Sequence, residues 1–467
     1  MRLTTTVAVL VIWATCVIIS AATAGEVRSV AQLASLADEL AAPLVDTATA
    51  EGLVVGLIVN GETVVHGYGR RSEKIEAKPD GKTLFEIGSI TKVFTGLLLA
   101  RAVQRGELDL NAPINDFLPG SIKPLSHDGR SITLFDLATH TSRLPRLPSN
   151  FSPADANNPY VDYTVDDLYT FLSYYKLRRT PGALYAYSNL GMGLLGHILS
   201  RHTGVPYATL VRQQITEPLG LSDTVIKLSD EQRSRLAQGH NVDVQPVANW
   251  DFDALAGAGA LRSTANDMLR FLRANLGEFN TPLRKAIELS HSQRREMGPG
   301  GGQIAIAWHI QTGSGFLWHN GGTGGYRSFA AFHPKRHVGV VVLSNTATSM
   351  LDALGLEIIK LLVGRETQPL ELRKVIDLAP TILDDYVGQY QLGPGAIFDI
   401  TRGGKRLMAQ LTGQAALTIY AEKKDAFYYR AVDAQISFVR DDEGTVTSLV
   451  LHQNGRDQSA KRIEVDK

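Results

Sequence analysis

Apolar positions recur along this chain at helical spacing in some stretches and at every second residue in others, and these stretches mark its elements. Val30–Pro43 carries a helical apolar repeat and predicts a helix that stops at the proline. Gly52–Gly61 and Thr63–Gly69 are β-branched runs meeting at Asn60-Gly61, the pairing that favours a tight hairpin. His66 lies in the second run and reads as a strand residue without chemistry. Val93–Gly106 is apolar and rich in helix formers, with Gly106 as its stop. A short helix is predicted over Ile132–Thr141, carrying His140. Ser142–Tyr163 follows, rich in Pro, Asn and Ser, and reads as a long loop of the kind that rims functional sites. A turn at Pro181-Gly182 leads into a helix reaching Ser200. Ser263–Leu276 predicts an amphipathic helix capped at Ser263 or Thr264. Strand-like runs over Ile304–Ile310, Ser328–Phe332 and Gly339–Ser344 flank a glycine-rich stretch, Trp318–Tyr326, and together predict an antiparallel meander.

Beyond residue 370 the pattern changes. Gln368-Pro369 and Pro380 bracket a connector, and short alternating runs follow, among them Arg406–Leu411, Phe427–Arg430, Gln435–Arg440 and Thr445–His452. Turn residues fall between them at Gly403-Gly404, Asp442–Gly444 and Asn454-Gly455. This predicts a small all-β unit, a barrel or sandwich. The chain thus divides into residues 25–368, a linker over 369–380, and a β domain over 381–467.

The first residues stand apart. Met1-Arg2 precedes an apolar run, Val7–Ile19, too short for a convincing membrane span, and Ala22-Thr23-Ala24 supplies a small-x-small cleavage signal. Residues 1–24 therefore read as a signal peptide, making the protein periplasmic or secreted, with no stable membrane span expected after cleavage. Cys16, the single cysteine, lies inside that run, so the mature chain has none. An exported chain without disulfides depends on core burial, which 467 residues permit.

Composition excludes more than it selects. With 44% hydrophobic and 20% charged residues the chain is globular rather than disordered. Basic and acidic residues balance at 47 each, so no net field favours nucleic acid. No metal site is legible: His197 and His202 are five apart, and Pro334 breaks any helix aligning His333 with His337. Gly298–Gly302 lacks the lysine and hydroxyl of a phosphate loop and reads as a turn.

Three stretches carry chemistry. Ser89 and Lys92 lie three residues apart at a helix start, one above the other on one face. A desolvated lysine with a lowered pKa can take a serine proton, and the helix N-terminus offers N–H groups to an oxyanion. Read alone, this pair is sooner a capping serine with a surface lysine one turn on. Tyr187-Ser188-Asn189 sets a phenol and a carboxamide at a helix entrance; in isolation Asn189 reads as an N-cap and Tyr187 as core. His319-Asn320-Gly321 opens the glycine-rich stretch, whose glycines at 321, 322, 324 and 325 are expected to let a substrate approach the strand. His140 reads as a structural histidine near the site, with a catalytic base as the alternative.

Taken in order, Ser89-x-x-Lys92, Tyr187-Ser-Asn189 and His319-Asn-Gly321 resemble the three motifs of the penicillin-recognising serine hydrolases. The second is similar to that of class C β-lactamases and the related D-alanyl-D-alanine carboxypeptidases and esterases. The resemblance runs from about residue 28 to 365 and includes Thr139–Ser142, Glu217–Leu221 and Ala258–Thr264. It implies an α/β (α+β) fold of the β-lactamase/transpeptidase kind, an all-α subdomain beside an antiparallel sheet. It implies Ser89 as the acylated nucleophile, Lys92 and Tyr187 sharing the base work, and Asn189 holding the substrate amide. It also implies His319, Asn320 and Gly321 on the substrate, an oxyanion hole from the N–H groups of Ser89 and Gly322, and no metal or cofactor. The implied substrates are β-lactams or D-Ala-D-Ala-type peptides, with small acyl esters or a non-catalytic cell-wall-binding role as alternatives. His319 and Asn320 depart from the Lys-Thr of efficient class C β-lactamases. A histidine at this position is expected to anchor a substrate carboxylate in a pH-dependent way, better as pH falls towards about 6.

Overall fold

The computed structural model describes residues 29–299 and 301–463. The signal-peptide reading, Cys16 included, concerns residues outside that range. Among the described residues, no helix is long and apolar enough to cross a membrane.

The hairpin closes at Asn60-Gly61, both in the left-handed region (φ 51° and 84°), joining strands Gly52–Val59 and Glu62–Gly69. The first of these pairs with Val338–Ser344, which begins the meander running back through Arg327–His333 and Leu317–Gly322. Three short strands, His309–Ile310, Gln303–Ile304 and Arg295–Glu296, complete an eight-stranded antiparallel sheet. The expected continuous strand over Ile304–Ile310 is broken instead. Ala307 takes φ 63° and turns its N–H to the carbonyl of Ala138, away from the ladder.

Both faces of the sheet are covered, and alternation assigns each side chain to a core. From Val338–Ser344, Val338, Val340 and Val342 pack with helices Val30–Asp46 and Met350–Leu362. Val341 and Leu343 face the opposite core, built on helices Thr91–Gln104, Asn189–Thr203 and Ala265–Leu276. The first helix does not stop at Pro43. It runs to Asp46 because Leu44, fully buried, extends its apolar stripe, while the Pro43 carbonyl still accepts the Thr47 N–H. The helix near residue 135 is shorter than expected, Leu134–Ala138, and leaves His140 beyond its end at φ 54°. Ala265–Leu276 is capped by Thr264, as its sequence predicts.

The C-terminal region is a closed barrel of eight antiparallel strands in sequence order, its first strand, Gly388–Gly393, pairing with its last, Arg456–Ile463. Inward residues, among them Tyr390, Phe398, Ile436, Phe438 and Leu449, fill it. Asp243 of the first domain accepts the hydroxyls of Thr418 and Tyr420 from the barrel wall at 3.0 and 2.6 Å.

Candidate active site

Strand Leu84–Glu86, paired with Arg262–Thr264, delivers the chain into a single 3-10 turn, Gly88–Ile90, and then helix Thr91–Gln104. Ser89 sits in that turn. It does not cap the helix, so its hydroxyl is left to the side chains around it. Gly88 at φ 48° allows the turn to press on the third-motif strand: a Cβ there would lie 2.7 Å from the Gly322 nitrogen. A Cβ on Gly321 would meet the Ile87 carbonyl oxygen at 2.0 Å, and Ser328 donates its hydroxyl to that same oxygen. These glycines therefore bring the nucleophile turn and the strand together, which corrects the expectation that they serve substrate approach. Gly324 and Gly325 likewise abut Trp250 and Gly239.

Lys92 lies one turn on, fully buried. Its Nζ is 2.8 Å from Ser89 Oγ and donates to the Ala258 carbonyl at 2.6 Å. Burial, reinforced by the charge of Arg146, holds its pKa well below the usual lysine value. A neutral amine so placed can keep its donor on Ala258 and accept the Ser89 proton.

Helix Asn189–Thr203 is capped by Ser188, which accepts the Gly191 N–H and donates to the Pro145 carbonyl. The cap is therefore not Asn189, whose side chain is left for the site beside Tyr187. The Tyr187 ring stands 5.0 Å from Lys92 Nζ and 5.1 Å from the Arg146 guanidinium. Burial pushes its phenol up to about 12, with the Ser89 hydroxyl and Arg146 pulling the other way. It is a phenol at neutral pH, not a resting phenolate. Asn189 donates to Tyr160 at 3.3 Å, while its Oδ1 is buried without a partner among the described residues.

The third motif differs from expectation at two residues. Strand alternation turns Asn320 to the face opposite His319, where its amide donates to Asp352 of helix Met350–Leu362 at 2.7 Å. His319 does face Tyr187, with ring centroids 6.5 Å apart, but it is fully buried against His309. Burial first, then His309 and Lys92, hold its pKa well below the ordinary histidine value. It is uncharged near neutral pH and cannot be the pH-dependent carboxylate anchor expected of it. His140 is buried too, accepts the Ser188 N–H at Nδ1, and packs on Tyr187 at 4.4 Å, a structural role. His66 is held by Asp38 at 2.7 Å, far from this chemistry in sequence and partners.

Arg146, Tyr160, His309 and the Ala258 carbonyl were not found as site groups from the sequence. Only the loop composition around Arg146 and Tyr160 pointed to their neighbourhood. Among the described residues no three His, Cys, Asp or Glu side chains gather so as to hold a metal ion.

Residues 37–364 match the family model described as Beta-lactamase. The chain belongs to the β-lactamase family. Residues 372–462 match a second model, described as a domain of unknown function (DUF3471). This β-lactamase-family chain is 28% identical over 310 residues to the D-alanyl-D-alanine-carboxypeptidase/endopeptidase AmpH of Escherichia coli (strain K12), covering 63% of this chain and 79% of that protein. It is 27% identical over 344 residues to a β-lactamase of Pseudomonas fluorescens, covering 66% and 92%. Among solved structures, it resembles the β-lactamase/D-alanine carboxypeptidase from Yersinia pestis complexed with citrate, with TM-score 0.62 and 26% identity over 72% of this chain and all of that one. The fold is the β-lactamase-like α/β fold with an added β-barrel, and the protein is a serine hydrolase of the class C β-lactamase/D-alanyl-D-alanine carboxypeptidase kind.

Proposed function

We propose that this protein is an exported acyl hydrolase that works through a Ser89 acyl-enzyme on D-Ala-D-Ala-type peptides or β-lactams. The observation that carries this reading is the 2.8 Å contact between Ser89 Oγ and a buried lysine amine whose charge is disfavoured. Lys92 takes the Ser89 proton as Oγ attacks the carbonyl carbon. The N–H groups of Ser89 and Gly322 receive the developing oxyanion. As the intermediate collapses, the Tyr187 phenol protonates the leaving nitrogen and regains a proton originating on Ser89. Water then enters, gives a proton to the same basic groups, and releases the acyl group while Oγ is reprotonated. Asn189, with its unpartnered Oδ1, supports a role in holding the substrate amide.

A second reading, hydrolysis of small acyl esters, is favoured by His319. A neutral buried imidazole supplies no charge for a carboxylate on the leaving side, and an ester leaving group needs none.

An intact-mass time course of the purified protein with a penicillin, beside Ser89→Ala, tests both. The mature mass should begin at Gly25. A Ser89-dependent adduct that decays within minutes means β-lactam hydrolysis, and one that persists means a peptidase-like acyl-enzyme. No adduct, with Ser89-dependent cleavage of a p-nitrophenyl ester, selects the esterase. An adduct that survives Ser89→Ala overturns the site.

A further inference from the structure

The long loop after His140 places one charged residue at the site that the reaction so far does not use. The carbonyl of Arg146 accepts the N–H groups of Asn189 and Leu190 at 3.0 and 3.1 Å, and the preceding Pro145 carbonyl accepts the Ser188 hydroxyl at 2.7 Å. Its main chain is thus pinned to the second motif. Its side chain is the opposite: exposed, with no hydrogen bond or ion pair to any described residue, and with the face of Tyr187 beneath it at 5.1 Å.

The other cations acting on this cleft are committed. Lys92 is buried between Ser89 and Ala258, and Arg327 is tied to both oxygens of Asp352. His319 is neutral. An unpaired guanidinium beside a buried lysine opposes the charge on that lysine, so Arg146 brings the free protein no electrostatic gain there. What it does provide is a planar, always-charged fork on a fixed backbone, with a geometry suited to a carboxylate.

We propose that Arg146 is a specificity-determining residue that binds a carboxylate on the acyl portion of the substrate. The acyl side is part of the proposal, argued from its place: Arg146 is joined through its own carbonyl to Asn189, the residue proposed to hold the substrate amide, and not to the strand that carries His319. The inference rests on the Ser89 acyl-enzyme reading above, and it names the substrate class as anionic acyl compounds.

Two probes isolate the charge: p-nitrophenyl hexanoate and the p-nitrophenyl monoester of adipic acid. They share chain length and leaving group and differ in a terminal carboxylate. The quantity to measure is the ratio of kcat/KM for the adipate ester to that for the hexanoate. In Arg146→Gln this ratio should fall about tenfold, mainly through KM, the size expected when one charge-assisted pair is lost. Arg146→Lys, which keeps the charge but not the fork, should restore part of it. A ratio unchanged by Arg146→Gln overturns the proposal, as does an equal loss on both esters, which would assign Arg146 to Tyr187 alone. Hydrolysis that persists in Ser89→Ala overturns the underlying acyl-enzyme reading instead, whatever Arg146 does.

Discussion

Lys92 combines two properties that rarely occur together: complete burial and no acidic partner within its hydrogen bonds. Desolvation makes the ammonium costly there, and the nearby Arg146 adds to that cost, so the neutral amine is favoured over a wide pH range. The sign for activity follows. Below the lowered pKa the amine is protonated and cannot accept from Ser89, so acylation falls on the acid side. Replacing Lys92 with Met should slow acylation by about 10²–10⁴-fold, the range for losing a positioned base, and should abolish that acid limb. A pH–rate profile by stopped-flow or mass time course checks this. An acid limb that persists in Lys92→Met would place the base elsewhere. The Ser-x-x-Lys spacing was legible in sequence, because i and i+3 meet on any helical turn. The lowered pKa was not, because it comes from the surrounding core and from Arg146, both remote in the chain.

At the scale of elements, the site depends on how closely a turn and a strand can approach. Gly321 packs its α-carbon on the Ile87 carbonyl, a backbone atom that cannot rotate away. Gly321→Ala should therefore cost about 1–3 kcal/mol, as for an overpacked interior, and should slow acylation by moving the Gly322 N–H away from Ser89. Gly61→Ala is the control. Its φ of 84° strains any side chain, but nothing lies within 4 Å of the added carbon, so stability alone should fall, by about 1 kcal/mol. Urea titration and acylation rates of the two variants separate the effects, and wild-type acylation in Gly321→Ala would show that this contact does not set the site. The hairpin and meander were readable because alternation and Asn-Gly turns are local signals. The break at Ala307 and the neutral burial of His319 were not, since both are imposed by partners across the core.

At the scale of the whole molecule, the barrel is held to the hydrolase domain partly through Asp243, whose carboxylate accepts two barrel hydroxyls. Asp243→Ala leaves those hydroxyls without their acceptor and should weaken docking by about 1–3 kcal/mol. Calorimetry should then show the barrel melting earlier than the catalytic domain, while Ser89 acylation persists. A single unshifted transition would mean that the docking rests on other contacts.

What the sequence determined by itself was the order and type of most elements, the β character of the C-terminal region, and three short motifs in an order that pointed to one family. These are local properties, set by side-chain spacing and turn chemistry within a few residues. Only the tertiary structure decided that the barrel closes, that Asn320 faces away, that His319 carries no charge, and that Arg146 overlooks Tyr187 with its charge unpaired. Each of those depends on which distant groups share a residue's surroundings, and burial and Coulomb interactions act through space, not along the chain.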